Sequence, residues 1–290
     1  MPKPTTALKT LLAKRNGMIL PGAANGLFAR VIEDAGYEAV YVTGAGVANM
    51  HLGAPDIGLT TLTEIADHVA AIADAVQIPL LVDADTGFGN AVNMVRTVRV
   101  LERAGAAGLQ IEDQVFPKKC GHFAGKDVVP LPEMLAKVKA AVDTRRDGDL
   151  QIVARTDARA ILGLQAAIDR AGAMIEAGAD VTFVEAPTSE DELAIIARSL
   201  PVPQVANVVF GGLTPELGRE RFADLGFGCV LYANAALQAA LKASQEILLA
   251  LRREGSLASV SDRLAGFDAR QKAVAKASYD ELERRYRAVT

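Results

Sequence analysis

Several features are scarce in this sequence, and each scarcity excludes a class of protein. Only two cysteines occur among 290 residues, Cys120 and Cys229, which fits free thiols in a reducing compartment better than a disulfide framework. No run of about 18 apolar residues is present, and residues 1–22 lack the apolar core of a secretory signal. We therefore expect a cytoplasmic protein with no membrane partner.

Positive charge is not in excess either. The formal net charge is −4, and acidic and basic residues are interspersed along the chain. A broad cationic face is therefore not expected, and nucleic acid is not an expected partner. No internal stretch is dense enough in polar residues, Pro and Gly to form a linker, so we expect one catalytic domain that acts on a small molecule.

Short β-branched runs alternate with segments of helical period, which is typical of a parallel sheet covered by helices. The predicted strands are 18–21, 39–43, 79–83, 108–112, 151–155, 181–185, 203–207 and 228–232. The predicted helices are 24–36, 62–76, 91–104, 132–146, 164–177, 189–199, 215–224 and 234–254. This repetition predicts an α/β fold of the (β/α)₈ barrel type over residues 1–254, with an open doubly wound sheet as the alternative.

Polar residues follow most of these strands directly. They are Thr43, Gly44, Asp83, Glu112, Arg155, Asp157, Glu185, Asn207, Tyr232 and Asn234. Because functional groups of a (β/α)₈ barrel gather at the carboxyl ends of its strands, we expect these residues to share one rim. The alternative is that they only solvate separate loop ends.

Carboxylate side chains are concentrated at the ends of two neighbouring predicted strands. The segment PLLVDADTGFG (79–89) supplies Asp83 and Asp85, and GLQIEDQ (108–114) supplies Glu112. Carboxylate oxygens are the ligands that Mg²⁺ and Mn²⁺ prefer. A helix N-cap would account for one of the two aspartates but not for both. The sequence therefore predicts a metal site at this rim.

A basic loop, KKCGH (118–122), follows the second of these segments and contains Cys120. Neighbouring cations lower the pKa of a thiol and make it reactive, whereas an inert structural cysteine usually lies in apolar surroundings. Cys120 is therefore predicted to be reactive. Cys229 lies inside an apolar strand and is predicted to belong to the core.

These motifs together resemble the isocitrate lyase and phosphoenolpyruvate mutase superfamily over nearly the whole chain. The resemblance rests on PLLVDADTGFGN, GLQIEDQVFPKKCGH, IVARTDA, FVEAP and the opening PGAANGLFARVIEDAGYEAVYVTGAGVA. The cysteine-bearing loop resembles that of the carbon–carbon lyases, whereas phosphonate mutases and hydrolases typically lack this cysteine. The short chain resembles the group that holds 2-methylisocitrate lyase, dimethylmalate lyase, oxaloacetate hydrolase and the petal death protein.

The resemblance implies a Mg²⁺-dependent lyase that splits a substituted malate or 2-methylisocitrate by retro-aldol chemistry, giving pyruvate or glyoxylate and a second carboxylate. Mn²⁺ is the alternative ion. The competing hypotheses are a phosphonate mutase or hydrolase, an oxaloacetate hydrolase or decarboxylase, and a non-catalytic barrel with a binding or assembly role.

The resemblance also assigns roles to residues. Asp83 would bind the metal directly, while Asp85 and Glu112 would hold its waters. The catalytic set would be Cys120 as proton donor to the leaving carbanion, with Lys118, His122, Arg155 and Glu185. The substrate-binding set would be Thr43, Gly44, Ala45, Asp56, Lys119, Gly121 and Asn207. On structural grounds alone, Gly44 would serve a tight connection and Asp56 an ordinary turn after Pro55.

The sequence departs from the family pattern at the substrate rim. Lys119, Phe123 and Ala124 stand where 2-methylisocitrate lyases carry further basic character, and Phe210 replaces a common acidic residue. Phe210 predicts an apolar lining that suits an alkyl-substituted dicarboxylate.

The tail, residues 255–290, has a helical pattern, and the resemblance implies that it is a contact in a homotetramer. A helix folded back on its own barrel is the alternative.

Overall fold

The computed structural model describes residues 2–119, 121 and 125–287. Contacts within the chain divide it into two compact units, residues 1–235 and residues 236–290. The first unit contains eight parallel strands. They are β1 Met18–Ala23, β2 Val40–Val42, β3 Leu80–Asp83, β4 Gly108–Glu112, β5 Gln151–Thr156, β6 Val181–Val184, β7 Val205–Asn207 and β8 Cys229–Tyr232.

The strands form a nearly closed barrel. Their order in the sheet is β6-β5-β4-β3-β2-β1-β8-β7, so β1 lies beside both β2 and β8. A parallel bridge between Thr182 and Gln204 joins the two ends of this sheet. The predicted (β/α)₈ barrel is therefore confirmed, and the open doubly wound sheet is excluded because this bridge connects the two end strands of the sheet.

Helices surround the barrel in alternation with the strands. In the first unit they are α1 Pro4–Ala13, α2 Gly26–Asp34, α3 Gly44–Val47, α4 Leu62–Ala75, α5 Ala91–Arg103, α6 Leu131–Thr144, α7 Arg159–Leu162, α8 Leu164–Glu176, α9 Glu190–Ser199 and α10 Arg219–Leu225. A π-helical turn, Ala48–Leu52, follows α3. The sequence analysis did not predict α1, α3 or α7.

Two separate apolar layers show how each strand is oriented. Leu81, Val153 and Phe183 pack with one another inside the barrel, and Leu8 and Leu12 of α1 join this inner cluster. Their neighbours along the strands, such as Val82 and Ile152, pack outward in the cluster that includes the helices. Because side chains alternate along a strand, the residue two positions after an inner residue also faces inward.

The second unit consists of α11 Ala235–Glu254, a 3₁₀ turn Ala258–Arg263, α12 Phe267–Ala273 and α13 Lys276–Tyr286. Among its described residues only Ala250 and Val260 are buried apolar side chains. Its exposed large apolar residues include Leu248, Phe267 and Tyr286. So small a buried core does not stabilise a fold by itself. No helix among the described residues is both long and apolar enough to cross a membrane.

Candidate active site

Six strand ends bring polar side chains to the same rim of the barrel. On β3, β5 and β6 the inner residues Leu81, Val153 and Phe183 are each followed two positions later by a polar residue. Alternation therefore turns these polar side chains toward the barrel axis as well. The buried set produced in this way is Thr43, Asp83, Glu112, Arg155, Glu185 and Asn207.

Asp83 is a buried carboxylate that accepts three hydrogen bonds. Its Oδ1 accepts hydrogen bonds from the backbone N–H of Asp85 at 3.1 Å and from Gln110 Nε2 at 3.3 Å. Its Oδ2 accepts one from the backbone N–H of Gly44 at 3.3 Å. Gln110 in turn accepts a hydrogen bond from the Tyr41 hydroxyl, so the orientation of Asp83 is set by neutral donors.

Asp85 is paired with a buried lysine. Lys118 Nζ lies 2.7 Å from Asp85 Oδ1 and 2.5 Å from Asp56 Oδ1, and its side chain is 3% exposed. Burial raises the pKa of Asp85 to about 6, although Lys118 opposes the shift. Burial alone would lower the pKa of Lys118, but Asp85 and the other carboxylates outweigh it and hold that pKa well above its usual value. Lys118 therefore remains an ammonium ion.

Glu112 carries negative charge that the protein compensates incompletely. Its Oε2 lies 3.4 Å from Arg155 Nη1, whereas its buried Oε1 has no hydrogen-bond partner within the described part of the chain. Burial raises the pKa of Glu112 well above its usual value, and the charge of Asp83 adds to the shift. An orphaned carboxylate oxygen next to two further carboxylates is a donor set that a hard divalent cation fits.

The geometry is that of a site with few direct ligands. No three acidic, histidine or cysteine side chains within residues 2–119, 121 and 125–287 come close enough to hold one ion together.

Arg155 connects the metal side of the rim to the opposite wall. Its Nε and Nη2 donate to the two oxygens of Asp157 at 3.0 and 3.2 Å, and its Nη2 lies 3.8 Å from Glu185 Oε1. Asn207 Nδ2 donates to Glu185 Oε1 at 3.1 Å. Glu185 Oε1 thus contacts both the guanidinium of Arg155 and the side-chain amide of Asn207.

The KKCGH loop reaches this wall through Gly121. A Cβ atom at Gly121 would lie 2.2 Å from Glu185 Oε1 and 2.3 Å from Arg155 Nη2, so no other residue fits there without movement. Lys119 is exposed, and its ammonium donates to the Gly125 carbonyl at 2.6 Å. The predicted catalytic residues Cys120 and His122 lie outside the described residues.

The remaining predicted substrate-binding residues border one small cavity. Thr43 caps α3 by accepting from the Gly46 N–H at 3.1 Å, and Ala45, Asp56 and Asn207 line the same space. The volume is about 50 Å³, room for roughly four waters. Phe210 does not line it as predicted, because its side chain is 90% exposed.

The other wall of this cavity is apolar. It is formed by Val209, Leu231 and Ala233. A larger cavity of about 660 Å³ lies elsewhere, bordered by the first turns of α4 and α5 and by α6, and the metal-side carboxylates are not among its lining residues. The smaller cavity is the candidate active site because Asp83, Lys118 and Arg155 line it.

Several residues support the rim from behind, and of these Gln114, Tyr41 and Gln110 were not predicted from the sequence. Gln114 donates to and accepts from the backbone of Lys119, at 2.8 and 2.9 Å, and so fixes the start of the loop. Asp113 accepts hydrogen bonds from Thr156 Oγ1 at 2.7 Å and from Arg170 Nε at 2.9 Å. Strand alternation, which places Tyr41 and Gln110 below the rim, was a signal that could have found those two residues.

Comparison with known proteins supports an enzyme. The chain is 45% identical over 260 residues to 2,3-dimethylmalate lyase of Eubacterium barkeri, covering 90% of each protein. It is 44% identical over 262 residues to 2-methylisocitrate lyase of Aeropyrum pernix, covering 90% of this chain and 84% of that protein. Both relatives are carbon–carbon lyases.

Solved structures agree with this relationship. Oxaloacetate acetylhydrolase, in complex with the inhibitor 3,3-difluorooxalacetate, superposes with a TM-score of 0.92 at 33% identity, covering 97% of this chain and 96% of that one. Phosphonopyruvate hydrolase, in complex with oxalate and Mg²⁺, superposes with a TM-score of 0.89 at 31% identity, covering 98% and 99%. The family model described as phosphoenolpyruvate phosphomutase matches residues 8–252. The chain therefore belongs to the phosphoenolpyruvate mutase and isocitrate lyase superfamily.

Proposed function

We propose that this protein is a Mg²⁺-dependent carbon–carbon lyase. It cleaves a substituted malate or a 2-methylisocitrate-like 2-hydroxy acid into a 2-oxo acid, pyruvate or glyoxylate, and a second carboxylate. The observation that carries the proposal is a cavity lined by Asp83, Lys118 and Arg155, in which the two cations also pair with the buried carboxylates Asp85 and Glu112. The lyase names of the two curated relatives support the choice of reaction.

Asp83 would hold the metal directly, and Asp85 and Glu112 would hold its water ligands. Held there, the ion would supply Lewis-acid stabilisation of negative charge on substrate oxygens. Mn²⁺ is the alternative ion, because it accepts the same oxygen ligands.

The protein's own groups would bind and orient the substrate. The N–H of Gly44 already donates to Asp83, which leaves Ala45 and Thr43 at the start of α3 for the substrate carboxylate. Asn207 and Lys119 border the same cavity and would contact the second carboxylate. The apolar wall of Val209, Leu231 and Ala233 suits an alkyl substituent better than a third carboxylate.

Cleavage requires two proton movements. The substrate hydroxyl gives its proton to the Glu185 carboxylate, and a lone pair on that oxygen forms the new C=O bond. The electron pair of the broken C–C bond passes to the departing carbon, and that carbanion delocalises into its own carboxylate. Arg155 and Lys118 stabilise the developing negative charge because both are buried and remain protonated. Cys120 delivers a proton to the carbanion, while Glu185 orients Arg155 and Gly121, and His122 supports the proton transfer.

The test is release of 2-oxo acid from a panel of substrates. The panel contains 2-methylisocitrate, isocitrate, 2,3-dimethylmalate and other alkylmalates, with oxaloacetate and phosphonopyruvate as competing substrates, each measured with Mg²⁺ and with EDTA. Metal-dependent pyruvate release from one alkylated substrate supports the lyase. Activity on oxaloacetate or phosphonopyruvate alone would retain the site and reject the reaction.

We also propose a homotetramer in the cytoplasm. The exposed apolar residues of the second unit support an intermolecular contact, because so little of their surface is buried within that unit. The predicted division at residue 254 makes 255–290 the part to remove. Size-exclusion chromatography with light scattering should show a smaller assembly after that truncation, and an unchanged mass would reject the tail as the contact.

A further inference from the structure

A lysine outside the predicted site lies directly behind it. The ammonium group of Lys126 lies 2.7 Å from Asp157 Oδ1 and also donates to the backbone carbonyl of Gly121. The side chain of Lys126 is 2% exposed, and that of Asp157 is fully buried. Burying two charges costs free energy unless both are well bonded, so such a pair is not an incidental surface contact.

Asp157 serves two cations at once. Arg155 donates two hydrogen bonds to it, and Lys126 adds a third. Burial alone would raise the pKa of Asp157, but the charges of Arg155 and Lys126 outweigh burial and lower it. Asp157 is thus a fixed anion that connects the Arg155 guanidinium to the Lys126 ammonium.

Lys126 also determines where Gly121 lies. Gly121 is buried against Arg155 and Glu185 with no space for a side chain, and its carbonyl is bonded to Lys126. At the start of the loop, the Gln114 side chain donates a hydrogen bond to the Lys119 carbonyl and accepts one from the Lys119 N–H. The residue immediately before Gly121 in the sequence is Cys120.

We propose that Lys126 is a positioning residue, which ties Gly121 to Asp157 and so fixes the chain next to Cys120 against Arg155 and Glu185. Its effect on turnover rests on the proposed lyase function. The contact of Lys126 with Gly121 and Asp157 does not depend on that function, and its effect can be measured without any substrate.

Alkylation of Cys120 by iodoacetamide reports on this tie. Cys229, the other cysteine of the chain, is fully buried, so labelling at Cys120 is followed separately by mass spectrometry of the labelled peptide. Only the ionised thiol reacts, so a change in its ionisation would also alter the rate at neutral pH. The rate is therefore measured from pH 5 to 10, and the plateau at high pH, where the thiol is fully ionised, is compared.

In Lys126→Met we expect the plateau rate to rise by about tenfold, because local opening around Gly121 no longer breaks a buried charge pair. Lys126→Gln provides a second neutral variant should the methionine variant not fold, and Lys126→Arg, which retains the charge, should lie nearer the wild type. Lys139→Met is the matched control, because Lys139 is 71% exposed and pairs only with Asp143 among its described neighbours.

A double-mutant cycle that combines Lys126→Met with Asp157→Asn tests whether Lys126 acts through Asp157. If Lys126 acts through Asp157, the double variant should react no faster than the faster single variant. In turnover assays, kcat should fall about tenfold in Lys126→Met and be partly recovered in Lys126→Arg. An unchanged alkylation plateau in the neutral variants would reject the proposal even if the lyase reaction is established. A raised plateau with no turnover on the whole panel would support the tie and reject the reaction.

Discussion

Replacing Glu112 by glutamine should stabilise the metal-free protein while weakening its metal site. Glu112 is 1% exposed, its Oε1 has no hydrogen-bond partner in the described chain, and its Oε2 has only a 3.4 Å contact with Arg155. Replacing a buried charge of this kind by a neutral group of the same shape often stabilises a protein by about 1–4 kcal/mol. Because Arg155 compensates part of the charge, we expect about 1–2 kcal/mol for Glu112→Gln.

The pH dependence has a definite sign. The pKa of Glu112 in the folded protein lies above its ordinary value of 4.5, so folding favours protonation of Glu112 relative to the unfolded chain. Its contribution to stability is complete below pH 4.5 and is lost as the pH rises through the raised pKa. The advantage of Glu112→Gln should therefore be absent at low pH and should grow toward neutral pH.

Urea unfolding in EDTA and in Mg²⁺ provides the measurement. At a Mg²⁺ concentration of about 100 Kd, the wild type should gain about 2.7 kcal/mol and Glu112→Gln should gain clearly less, so the order of stability is reduced or reversed. Asp113→Asn is the matched control, because Asp113 is buried beside Glu112 but accepts bonds from Thr156 and Arg170. It should lose about 3 kcal/mol in either condition. If Glu112→Gln were the less stable protein in EDTA, the uncompensated charge inferred here would not exist.

Three further substitutions test the rim. Gly121→Ala places a methyl group 2.2 Å from Glu185 Oε1 and should lower kcat about 100-fold with little change in urea midpoint, whereas near-normal kcat would show that the loop does not lie there. Lys118→Met leaves Asp85 without its buried partner and should cost about 3 kcal/mol by urea unfolding in EDTA, and a neutral effect would contradict the ion pair. Cys120→Ser should abolish turnover in the lyase assay while circular dichroism stays unchanged, and full turnover would reject Cys120 as proton donor.

The fold and the rim were predictable because each depends on a short-range pattern. Alternation of strands and helices predicted the barrel, and the position of Asp83 or Arg155 directly after an apolar run placed it at a strand end. Helix α1 was missed because its ten residues lie before the first strand, and only Leu8 and Leu12 show that it belongs to the inner core.

The missed parts of the site depend on contacts that spacing does not reveal. Lys126 reaches Asp157 across 31 positions of sequence, and nothing in the pattern around residue 126 identifies that partner. Phe210 was predicted to line the substrate rim because it stands where the family commonly has an acidic residue. Its side chain instead faces solvent, and Val209 lines the cavity. Neighbouring residues such as Val209 and Phe210 point in different directions. The regular alternation of side chains ends with the strand, so it does not predict which of them faces the cavity.

The charge at this rim connects metal dependence to folding. Alternation that buries Leu81 and Val153 in the inner core also carries Asp83 and Arg155 into the next layer, where water is excluded. The carboxylates there are shielded from solvent and repel one another in the metal-free protein. Among the described residues, Lys118 and Arg155 compensate part of this repulsion. A divalent cation removes that repulsion in the folded state and has no comparable site in the unfolded chain. The buried carboxylates that would bind a metal at this rim should therefore also lower the free energy of unfolding of the metal-free protein.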